Sequence, residues 1–520
     1  MITKVVKVDP YDPSDDLLRP CAEALRAGRL VAFPTETVYG LGANALMPSA
    51  VARVFEAKGR PQDNPLIVHV SRIESVEPLV RAISPLAAKL METFWPGPLT
   101  LLFPKSDLVP PEVTAGLPTV AVRMPDHPVA QRLIDLSGVP VAAPSANISG
   151  SPSPTTFEAT LADLDGRVEF VVDGGPAGIG VESTVLDISG PVPLILRPGG
   201  LSAEELSQVL GEVRVAADIP QGPAPSPGMK YRHYAPKADV YLAQGDLSEQ
   251  RETIIFHAVK ALISGKRVAV LASSENAPAY THLSESFAGS FFVLELGGRS
   301  DLAPVAAKLF SSLRYADSLG AGVVFAESFP KAGLGLAIQN RLMRASGGRT
   351  LPPASETAFN VVMVCSGNTC RSPMAEGILR REWDRATSEA GFTARLNEWS
   401  RGTAAVPGLR ATPEAVSAVS RMGIDISGHL SQPVSEEDVA GADLVVAMTG
   451  AHKVALQRKF PRMTAKVRTL AEVSEGAVVG DVDDPIGLGQ EAYDRTAATL
   501  ERGLSVLAWR MMDLLKGPER

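Results

Sequence analysis

Cysteine is scarce in this sequence, since only three of the 520 residues are cysteine. Three thiols are too few for the disulfide framework of a secreted protein. Aromatic residues make up only 5%, and no apolar run approaches the ~18 residues that a membrane-spanning helix needs. The first 16 residues carry six charged side chains and no apolar signal stretch. We therefore expect a cytoplasmic protein that does not enter a membrane.

A large excess of one charge sign is also absent. Lys and Arg together number 50 and Asp and Glu 58, which gives a formal net charge of −8. This balance excludes a global positive field for nucleic acid, but it leaves room for a local basic pocket. The 45% of hydrophobic and 21% of charged residues are typical of a soluble globular protein. At about 100–200 residues per domain, the length predicts about three domains.

Two breaks divide the sequence. Residues 220–228 are dense in proline and glycine, and residues 351–357 read LPPASET. Between the breaks, short apolar runs alternate with amphipathic segments, which is typical of a small α/β layer. We predict an α/β protein divided into a first domain at 1–219, a linker or lid at 220–239, a small Rossmann-like domain at 240–346, a linker at 347–358 and a last domain at 359–520.

Polar motifs follow the apolar strands of the first predicted domain. They read PTETVYGLG from residue 34, KGRPQDNPL from 58, HVS from 69, TVAVRMP from 119, APSAN from 143, EST from 182 and RPGG from 197. Lys58 and Arg60 flank a proline-stiffened turn, where a point charge and a planar fork together suit a polyphosphate. Taken singly, each motif is equally well explained by solvated turns or satisfied strand residues.

In this order the motifs resemble the long form of the threonylcarbamoyl-AMP synthase family over about residues 3–346. The resemblance includes MKYRHYAPKA at 229–238 and GLGLAIQNRL at 333–342. It implies a YrdC-like twisted sheet and an enzyme that makes L-threonylcarbamoyladenylate and diphosphate from L-threonine, bicarbonate and ATP. Partner proteins would then transfer the threonylcarbamoyl group to adenosine 37 of tRNA.

The resemblance also implies the residues of the synthase site. Nucleotide contacts fall to Lys58, Arg60, Asn64, Thr119, Ser145, Asn147, Ser153, Arg197 and His233. Threonine contacts fall to Thr37, His69, Arg123, Ala143 (through its backbone) and Ser183. Mg²⁺ is expected on the triphosphate, and the sequence shows no carboxylate cage for a metal. Since the substrates supply the attacking atoms, the pocket needs cations and preorganised donors rather than a protein nucleophile.

An aromatic and basic cluster at residues 231–234 interrupts the otherwise plain first linker. A spacer needs neither rings nor charge. We predict that this cluster folds over the pocket as a lid and keeps water from the adenylate. An ordinary surface tether is the alternative.

The last predicted domain begins with a strand, a tight loop and a helix start, in NVVMVCSGNTCRSPMAE from residue 360. The spacing of Cys365 and Arg371 allows loop amides, the helix N-terminus and a guanidinium to surround one tetrahedral oxyanion. The same surroundings favour the thiolate form of Cys365. An acidic loop, DVDDPIG from residue 481, offers Asp484 as a general acid.

These segments resemble the low-molecular-weight phosphotyrosine phosphatase family over residues 359–516. The resemblance implies a flavodoxin-like parallel sheet and hydrolysis without a cofactor. It makes Cys365 the nucleophile, Arg371 the phosphate ligand, and Asp484 first the acid and then the base. The phosphate loop would comprise Ser366, Gly367, Asn368, Thr369, Cys370 and Ser372.

Two positions bear on the substrate of the phosphatase. Thr369 stands where bacterial protein-arginine phosphatases of this family carry threonine, and its hydroxyl can orient a guanidinium. Ile486 stands where the tyrosine phosphatases carry aromatic residues, and a flat substrate packs better against a ring than against an aliphatic chain. We predict a phosphoprotein substrate, with phosphoarginine favoured and phosphotyrosine as the alternative.

The thiols and the first domain each allow a second interpretation. Arsenate reductases use a relay of further thiols, and the sequence has none after Cys370. Cys370 either forms a reversible disulfide with Cys365 or fills space in the core. For the first domain, a non-catalytic RNA-binding module is the alternative to a synthase.

Overall fold

The structure, a computed structural model, describes residues 1–216, 234–391 and 394–517. Its strands form three separate sheets in chain order. We call the parts that hold them the N-terminal region (1–216), the middle region (234–346) and the C-terminal region (358–517). The predicted α/β fold class is confirmed, and the domain boundaries stay a prediction.

The N-terminal region is built on a mixed sheet of eleven strands. The strands are β1 (Lys4–Lys7), β2 (Val31–Phe33), β3 (Gly40–Asn44), β4 (Ile67–His69), β5 (Leu99–Pro104), β6 (Thr119–Arg123), β7 (Val141–Ala142), β8 (Phe170–Asp173), β9 (Thr184–Asp187), β10 (Leu194–Arg197) and β11 (Arg214–Val215). The helices are α1 (Asp15–Arg26), α2 (Pro48–Lys58), α3 (Pro85–Phe94), α4 (Pro111–Thr114), α5 (Pro128–Ser137), α6 (Phe157–Leu164) and α7 (Ala203–Leu210). The strand order across the sheet is β1-β8-β2-β3-β7-β4-β6-β5-β9-β10-β11.

The strand pairing brings distant polar residues together. β4 and β6 run parallel, and their last residues, His69 and Arg123, are register partners. β10 ends on Arg197. The left-handed φ of 60° at Gly59 ends α2 and turns the chain into Arg60. The ends of these strands and of α2 therefore place several of the predicted site residues at the same end of the sheet.

The middle region is a parallel sheet in the order β12-β15-β13-β14. Its strands are β12 (Asp239–Ala243), β13 (Val268–Ser273), β14 (Phe291–Gly297) and β15 (Val323–Glu327), and its helices are α8 (Leu247–Ile263), α9 (Thr281–Ser286), α10 (Ala303–Ser318) and α11 (Gly335–Ser346). Apolar residues of α10 and α11 share a core with Val38 and Val181 of the N-terminal region. This face of the small sheet therefore packs against the first region.

The C-terminal region is a second parallel sheet, in the order β17-β16-β18-β19. Its strands are β16 (Ala358–Cys365), β17 (Arg395–Gly402), β18 (Leu444–Ala447) and β19 (Val467–Thr469), and its helices are α12 (Arg371–Ala390), α13 (Pro413–Ser420), α14 (Glu436–Gly441), α15 (Gly450–Lys459), α16 (Leu470–Val473) and α17 (Gln490–Lys516). Among the helices of the described ranges, none is both long and apolar enough to cross a bilayer.

The middle and C-terminal regions share one hydrophobic core. The rings of Phe256 and Phe359 pack across the boundary with centroids 4.7 Å apart. Lys260 Nζ donates to the backbone oxygen of Ala358 at 2.6 Å and pairs with Asp443 at 3.1 Å. The predicted second linker is packed as well, because the buried Leu351 joins the same core. These two regions therefore form a continuous body.

Candidate active sites

A cavity opens at the edge of the N-terminal sheet where the strands end. It is lined by Thr35, Thr37, Val38, Gly40, Arg60, Ile67, His69, Arg123, Ala143, Pro144, Ser145, Asn147, Glu182, Ser183, Arg197 and Tyr234. Three guanidinium groups and one carboxylate belong to this lining. The cavity is therefore suited to an anionic ligand.

Arg60 and Arg197 supply two of the cations. Arg60 Nη2 donates to the backbone oxygens of Asn64 at 3.2 Å and Pro65 at 3.1 Å. Arg197 Nη2 donates to the backbone oxygen of Ser183 at 2.8 Å and to its hydroxyl at 3.1 Å. Desolvation lowers the pKa of each guanidinium to about 10, so both stay charged at neutral pH. The cavity thus holds preorganised cations that a polyphosphate can use.

Arg123 supplies the third cation and is held on three sides. Its Nη2 pairs with Glu36 at 2.6 Å, its Nη1 donates to Thr37 Oγ1 at 2.9 Å, and its Nε donates to the backbone oxygen of Gly97 at 3.3 Å. Burial and the neighbouring Arg123 lower the pKa of His69 to about 3, so this imidazole stays neutral. A fixed guanidinium beside a neutral ring and a hydroxyl suits a small carboxylate with polar groups.

Lys58 is buried beneath the cavity and is not among its lining residues. Its Nζ donates to the backbone oxygen of Ser145 and, at 2.5 Å, to that of Asn147. Burial lowers the pKa of this amine well below its usual range. Ser145 Oγ in turn donates to Asn147 Oδ1 at 2.5 Å. Lys58 therefore holds the loop that carries Ser145 and Asn147 into the cavity.

The second site is the loop between β16 and α12. Cys365 Sγ lies 3.0 Å from Ser372 Oγ, and the backbone N–H of Asn368 donates to the same sulfur at 3.3 Å. Asn368 adopts a left-handed φ of 57°. Its side-chain amide donates to Ser372 Oγ and Ser400 Oγ, each at 3.0 Å. These hydrogen bonds hold the left-handed backbone of Asn368 in place, so that its N–H is directed at the sulfur of Cys365. Loops that bind anions direct their backbone N–H groups inwards in the same way.

Arg371 and Asp484 complete this second site. Arg371 Nη2 donates to Asp484 Oδ2 at 2.5 Å, and Nη1 donates to the backbone oxygen of Val482 at 3.1 Å. The Arg371 side chain is 6% exposed, whereas that of Asp484 is 44% exposed. A thiol, a guanidinium and a solvent-facing carboxylate are therefore available for nucleophilic attack on a phosphate and proton transfer to its leaving group.

Two histidines brace the loop, and neither was predicted from the sequence. His452 Nε2 lies 2.8 Å from Ser366 Oγ, and His429 Nε2 lies 2.7 Å from the backbone oxygen of Asn368. Burial and the nearby Arg371 lower the pKa of His452. These contacts join residues 86 and 61 positions apart, so no local pattern marks them.

Cys370 occupies the far side of the same loop. Its sulfur is buried, 3.4 Å from the hydroxyl of Tyr493. Both Cys365 and Cys370 are free thiols in this structure. A disulfide between them under oxidation stays a prediction.

Comparison with known proteins finds three families along the chain. The family model Sua5_yciO_yrdC, described as "Telomere recombination", matches residues 23–199, and "Threonylcarbamoyl-AMP synthase, C-terminal domain" matches residues 201–347. "Low molecular weight phosphotyrosine protein phosphatase" matches residues 360–516. A threonylcarbamoyl-AMP synthase of Bacillus subtilis (strain 168) is 49% identical over 347 residues, which cover 66% of this chain and 96% of that relative. The chain belongs to the threonylcarbamoyl-AMP synthase family.

Two solved structures are similar to different stretches of the chain. P. abyssi Sua5, complexed with L-threonine, is 46% identical with a TM-score of 0.62, over 67% of this chain and 99% of that chain. A mutant of YwlE from Bacillus subtilis is 38% identical over 30% of this chain and 99% of that chain, with a TM-score of 0.27. The synthase carries a low-molecular-weight phosphatase domain at its C-terminal end. The predicted fusion of two enzymes is confirmed.

The structure brings most of the predicted synthase residues into one cavity. Those in the lining are Thr37, Arg60, His69, Arg123, Ala143, Ser145, Asn147, Ser183 and Arg197. Lys58 is not in the lining. Thr119 is the first residue of β6 and lies ~13 Å along the strand from Arg123, the last residue. Asn64 is buried and Ser153 Oγ donates to Glu182, whereas His233 lies outside the described residues. The ligand roles of all these residues stay predictions.

Glu182 and Tyr234 are among the lining residues that were not predicted to bind a substrate. Glu182 stands in the EST motif, but the motif alone gave it no contact with a substrate. Tyr234 belongs to the predicted lid cluster, and it is the member of that cluster that the described residues include. Tyr234 lines the cavity, whereas residues 231–233 lie outside the described residues, so the lid stays a prediction.

Proposed function

We propose that the N-terminal cavity makes L-threonylcarbamoyladenylate from L-threonine, bicarbonate and ATP, for transfer by partner proteins to adenosine 37 of tRNA. The convergence of Arg60, Arg123 and Arg197 on one cavity supports this proposal above all. The similar P. abyssi protein, whose structure contains L-threonine, supports the amino-acid half of it. The free thiols and the composition agree with a cytoplasmic reaction.

In the proposed reaction the substrates attack one another. The carboxylate of threonine pairs with Arg123. The amine of threonine attacks the carbon of bicarbonate, and water leaves. A carbamate oxygen then attacks the α-phosphorus of ATP, and diphosphate leaves. Arg60 and Arg197 stabilise the charge that develops on the phosphates, and the cavity walls hold the reactants in line.

We propose that Mg²⁺ enters this cavity with the nucleotide. Glu182, the carboxylate of the lining, is already bound to Ser153 Oγ at 2.6 Å and to Arg341 Nε at 2.8 Å. Phosphate oxygens and water are therefore the ligands that we assign to the cation. When bound, it would offset part of the triphosphate charge.

Diphosphate release that requires both threonine and bicarbonate tests the synthase proposal. Arg60→Ala should lower this release about ten- to a hundredfold, because a charge-assisted phosphate contact is worth ~1.5–3 kcal/mol. Arg53→Ala is the matched control, since Arg53 pairs with Glu169 outside the cavity. Equal rates for the two variants would refute the role of Arg60, and release without threonine would refute the reaction.

We propose that the C-terminal site hydrolyses phosphoproteins through Cys365, with phosphoarginine favoured. The thiolate attacks phosphorus while Asp484, entering as the protonated acid, gives its proton to the leaving group. The resulting carboxylate then deprotonates the water that hydrolyses the cysteinyl phosphate. Arg371 and the loop amides stabilise the transferring phosphoryl group. The sulfur held between Ser372 and the Asn368 amide is the observation that supports this reaction.

The preference for phosphoarginine rests on Thr369. This residue is half-buried in the loop, and its backbone oxygen accepts from the N–H of Thr412 at 3.0 Å. We propose that its hydroxyl faces the leaving group and favours a polar guanidinium over a phenol ring. Ile486 on the acid loop is 61% exposed and offers an aliphatic contact to either group.

Hydrolysis of phosphoarginine and phosphotyrosine peptides by the whole protein tests this preference. Thr369→Val removes the hydroxyl at nearly constant shape, whereas Thr369→Ser keeps it. We compare kcat/KM for the phosphoarginine peptide with kcat/KM for the phosphotyrosine peptide. Thr369→Val should shift this ratio about tenfold or more towards phosphotyrosine, and Thr369→Ser should preserve it. A wild type that strongly prefers phosphotyrosine would refute the phosphoarginine proposal.

A further inference from the structure

Glu182 is a buried carboxylate in the wall of the synthase cavity. Its side chain is only 8% exposed, and it directly precedes Ser183, to which we assign a threonine contact. One of its oxygens accepts from Ser153 Oγ at 2.6 Å. A buried carboxylate costs several kcal/mol unless a cation and hydrogen bonds compensate it. Glu182 therefore needs a partner that supplies the compensating charge.

The cation that pairs with Glu182 comes from the middle region. Arg341, on α11, is 0% exposed, and its Nε donates to Glu182 Oε2 at 2.8 Å. Desolvation opposes the charge on Arg341, but the pKa of this guanidinium is still raised, chiefly by Glu182. The pKa of Glu182 is lowered despite its burial, with Arg341 the largest stabilising influence. Both groups are thus held in their charged forms.

The same guanidinium reaches two further parts of the cavity wall. Arg341 Nη1 donates at 2.6 Å to the backbone oxygen of Pro198, the residue after Arg197. Its guanidinium carbon lies 5.6 Å from the centroid of the Tyr234 ring, which packs on Phe310 at 5.1 Å. Arg341 therefore contacts three parts of the cavity wall, which are the carboxylate of Glu182, the backbone of the RPGG turn and the ring of Tyr234.

We propose that Arg341 is a positioning residue for the synthase, through which the middle region fixes the wall of the cavity. The proposal rests on the proposed function of that cavity. Arg341 does not line the cavity, so it acts through Glu182, the Pro198 carbonyl and Tyr234. The middle region is then a working part of the synthase, because it supplies Arg341, which together with Arg197 of the cavity lining keeps Glu182 in its charged form.

Arg341→Met in the full chain tests the proposal, with Arg349→Met as the matched control. Arg349 also pairs with a carboxylate, Asp239 at 2.7 Å, and also lies over a ring, that of Tyr241 at 4.9 Å, but it is 34% exposed and contacts none of the lining residues through these groups. We expect Arg341→Met to lower the kcat for diphosphate release at least about tenfold, because a small displacement of the wall misaligns the reactants. The control variant should keep both activities.

Two further variants separate positioning from general damage. Arg341→Lys keeps the charge without the fork, so it should recover part of the lost kcat. Adding Glu182→Gln to Arg341→Met removes the uncompensated charge, so it should recover much of the lost thermal stability. Phosphatase activity should stay at the wild-type level in all variants, which reports that the middle and C-terminal regions remain folded.

The dependence of stability on pH gives a readout that does not need synthase activity. In wild type the folded-state pKa of Glu182 is lowered, so its pairing stabilises the protein above the unfolded pKa and is lost as pH falls. In Arg341→Met the carboxylate keeps Arg197 and the Ser153 hydroxyl but loses its strongest partner. Its pKa should therefore rise, and the deficit in melting temperature should shrink as pH falls from about 7.5 to about 5. The double variant should show a deficit that does not vary with pH.

The results distinguish this proposal from the proposed function. A wild type without threonine- and bicarbonate-dependent diphosphate release refutes the function, while the pH-dependent deficit would still show the pairing. An active wild type with an Arg341→Met variant as active as Arg349→Met overturns the positioning role. The positioning role is also overturned if the loss of melting temperature in Arg341→Met does not vary with pH and is not relieved by adding Glu182→Gln. Such a result indicates that the substitution removes packing alone.

Discussion

The two anion sites of this chain are built in opposite ways. The C-terminal site takes its thiol, amides and guanidinium from residues 365–372, with one carboxylate from a later loop. The N-terminal cavity draws its lining from many short segments between residues 35 and 234. The difference agrees with the proposed reactions, in which one site activates a protein atom on a single phosphate and the other holds several substrates that react together.

The source of positive charge differs in the same way. The phosphatase loop combines backbone N–H groups, the start of α12 and the single guanidinium of Arg371. The synthase cavity relies on three guanidinium groups at strand and loop ends, each fixed by backbone or side-chain oxygens. A backbone loop suits one tetrahedral anion, and long side chains suit an extended triphosphate beside an amino acid.

The largest expected effect concerns the protein nucleophile. Cys365→Ser should lower phosphatase activity at least about a thousandfold, because removing a nucleophile abolishes the covalent step. Diphosphate release by the synthase should stay at the wild-type level, since no residue is common to both sites. Both rates are measured on the same preparation. A parallel fall in the synthase rate would break the comparison, because it would show that the sites are coupled.

The contrast also explains how much the sequence could predict. Residues 365–372 were predicted because a contiguous loop leaves a local pattern. Asp484 lies 113 positions after Arg371 and was predicted through its own acidic loop and the family resemblance. The synthase lining was predicted largely through the order of its motifs, and Glu182 was missed because its partner Arg341 lies 159 positions away. His452 and His429 were missed for the same reason. Contacts between distant segments depend on strand order and packing, which periodicity alone does not reveal.

A smaller effect is expected where the synthase uses geometry as well as charge. Arg123→Lys keeps one positive charge but loses the fork that binds Glu36, Thr37 and the Gly97 carbonyl together. We expect the KM for threonine to rise about tenfold, with the KM for ATP little changed. Steady-state kinetics with each substrate varied in turn measures both. A larger rise in the KM for ATP would contradict the assignment of Arg123 to threonine.

The boundary between the middle and C-terminal regions was the least predictable part of the fold. The sequence indicated a proline-rich linker, whereas the structure shows a shared core on both sides of it. The apolar residues of α8 that make this core are ordinary for a helix packed on its own sheet. Nothing in their spacing distinguishes a face that packs internally from a face that packs on the next region.

The smallest expected effect tests whether that shared core makes one cooperative unit. Lys260→Met keeps an aliphatic side chain but removes the contacts of Nζ with the Ala358 carbonyl, with Asp443 and with the ring of Phe359. Lys260 is 16% exposed, so we expect a loss of about 1–2 kcal/mol in the free energy of unfolding, measured with denaturant, and no change in either activity. The control Lys308→Met changes an exposed lysine of α10 and should cost less than about 0.5 kcal/mol. Separate unfolding transitions for the two regions, unmoved by Lys260→Met, would show that they are independent. One transition that shifts as a whole would show that the phosphatase is stabilised by the part of the synthase that carries Arg341.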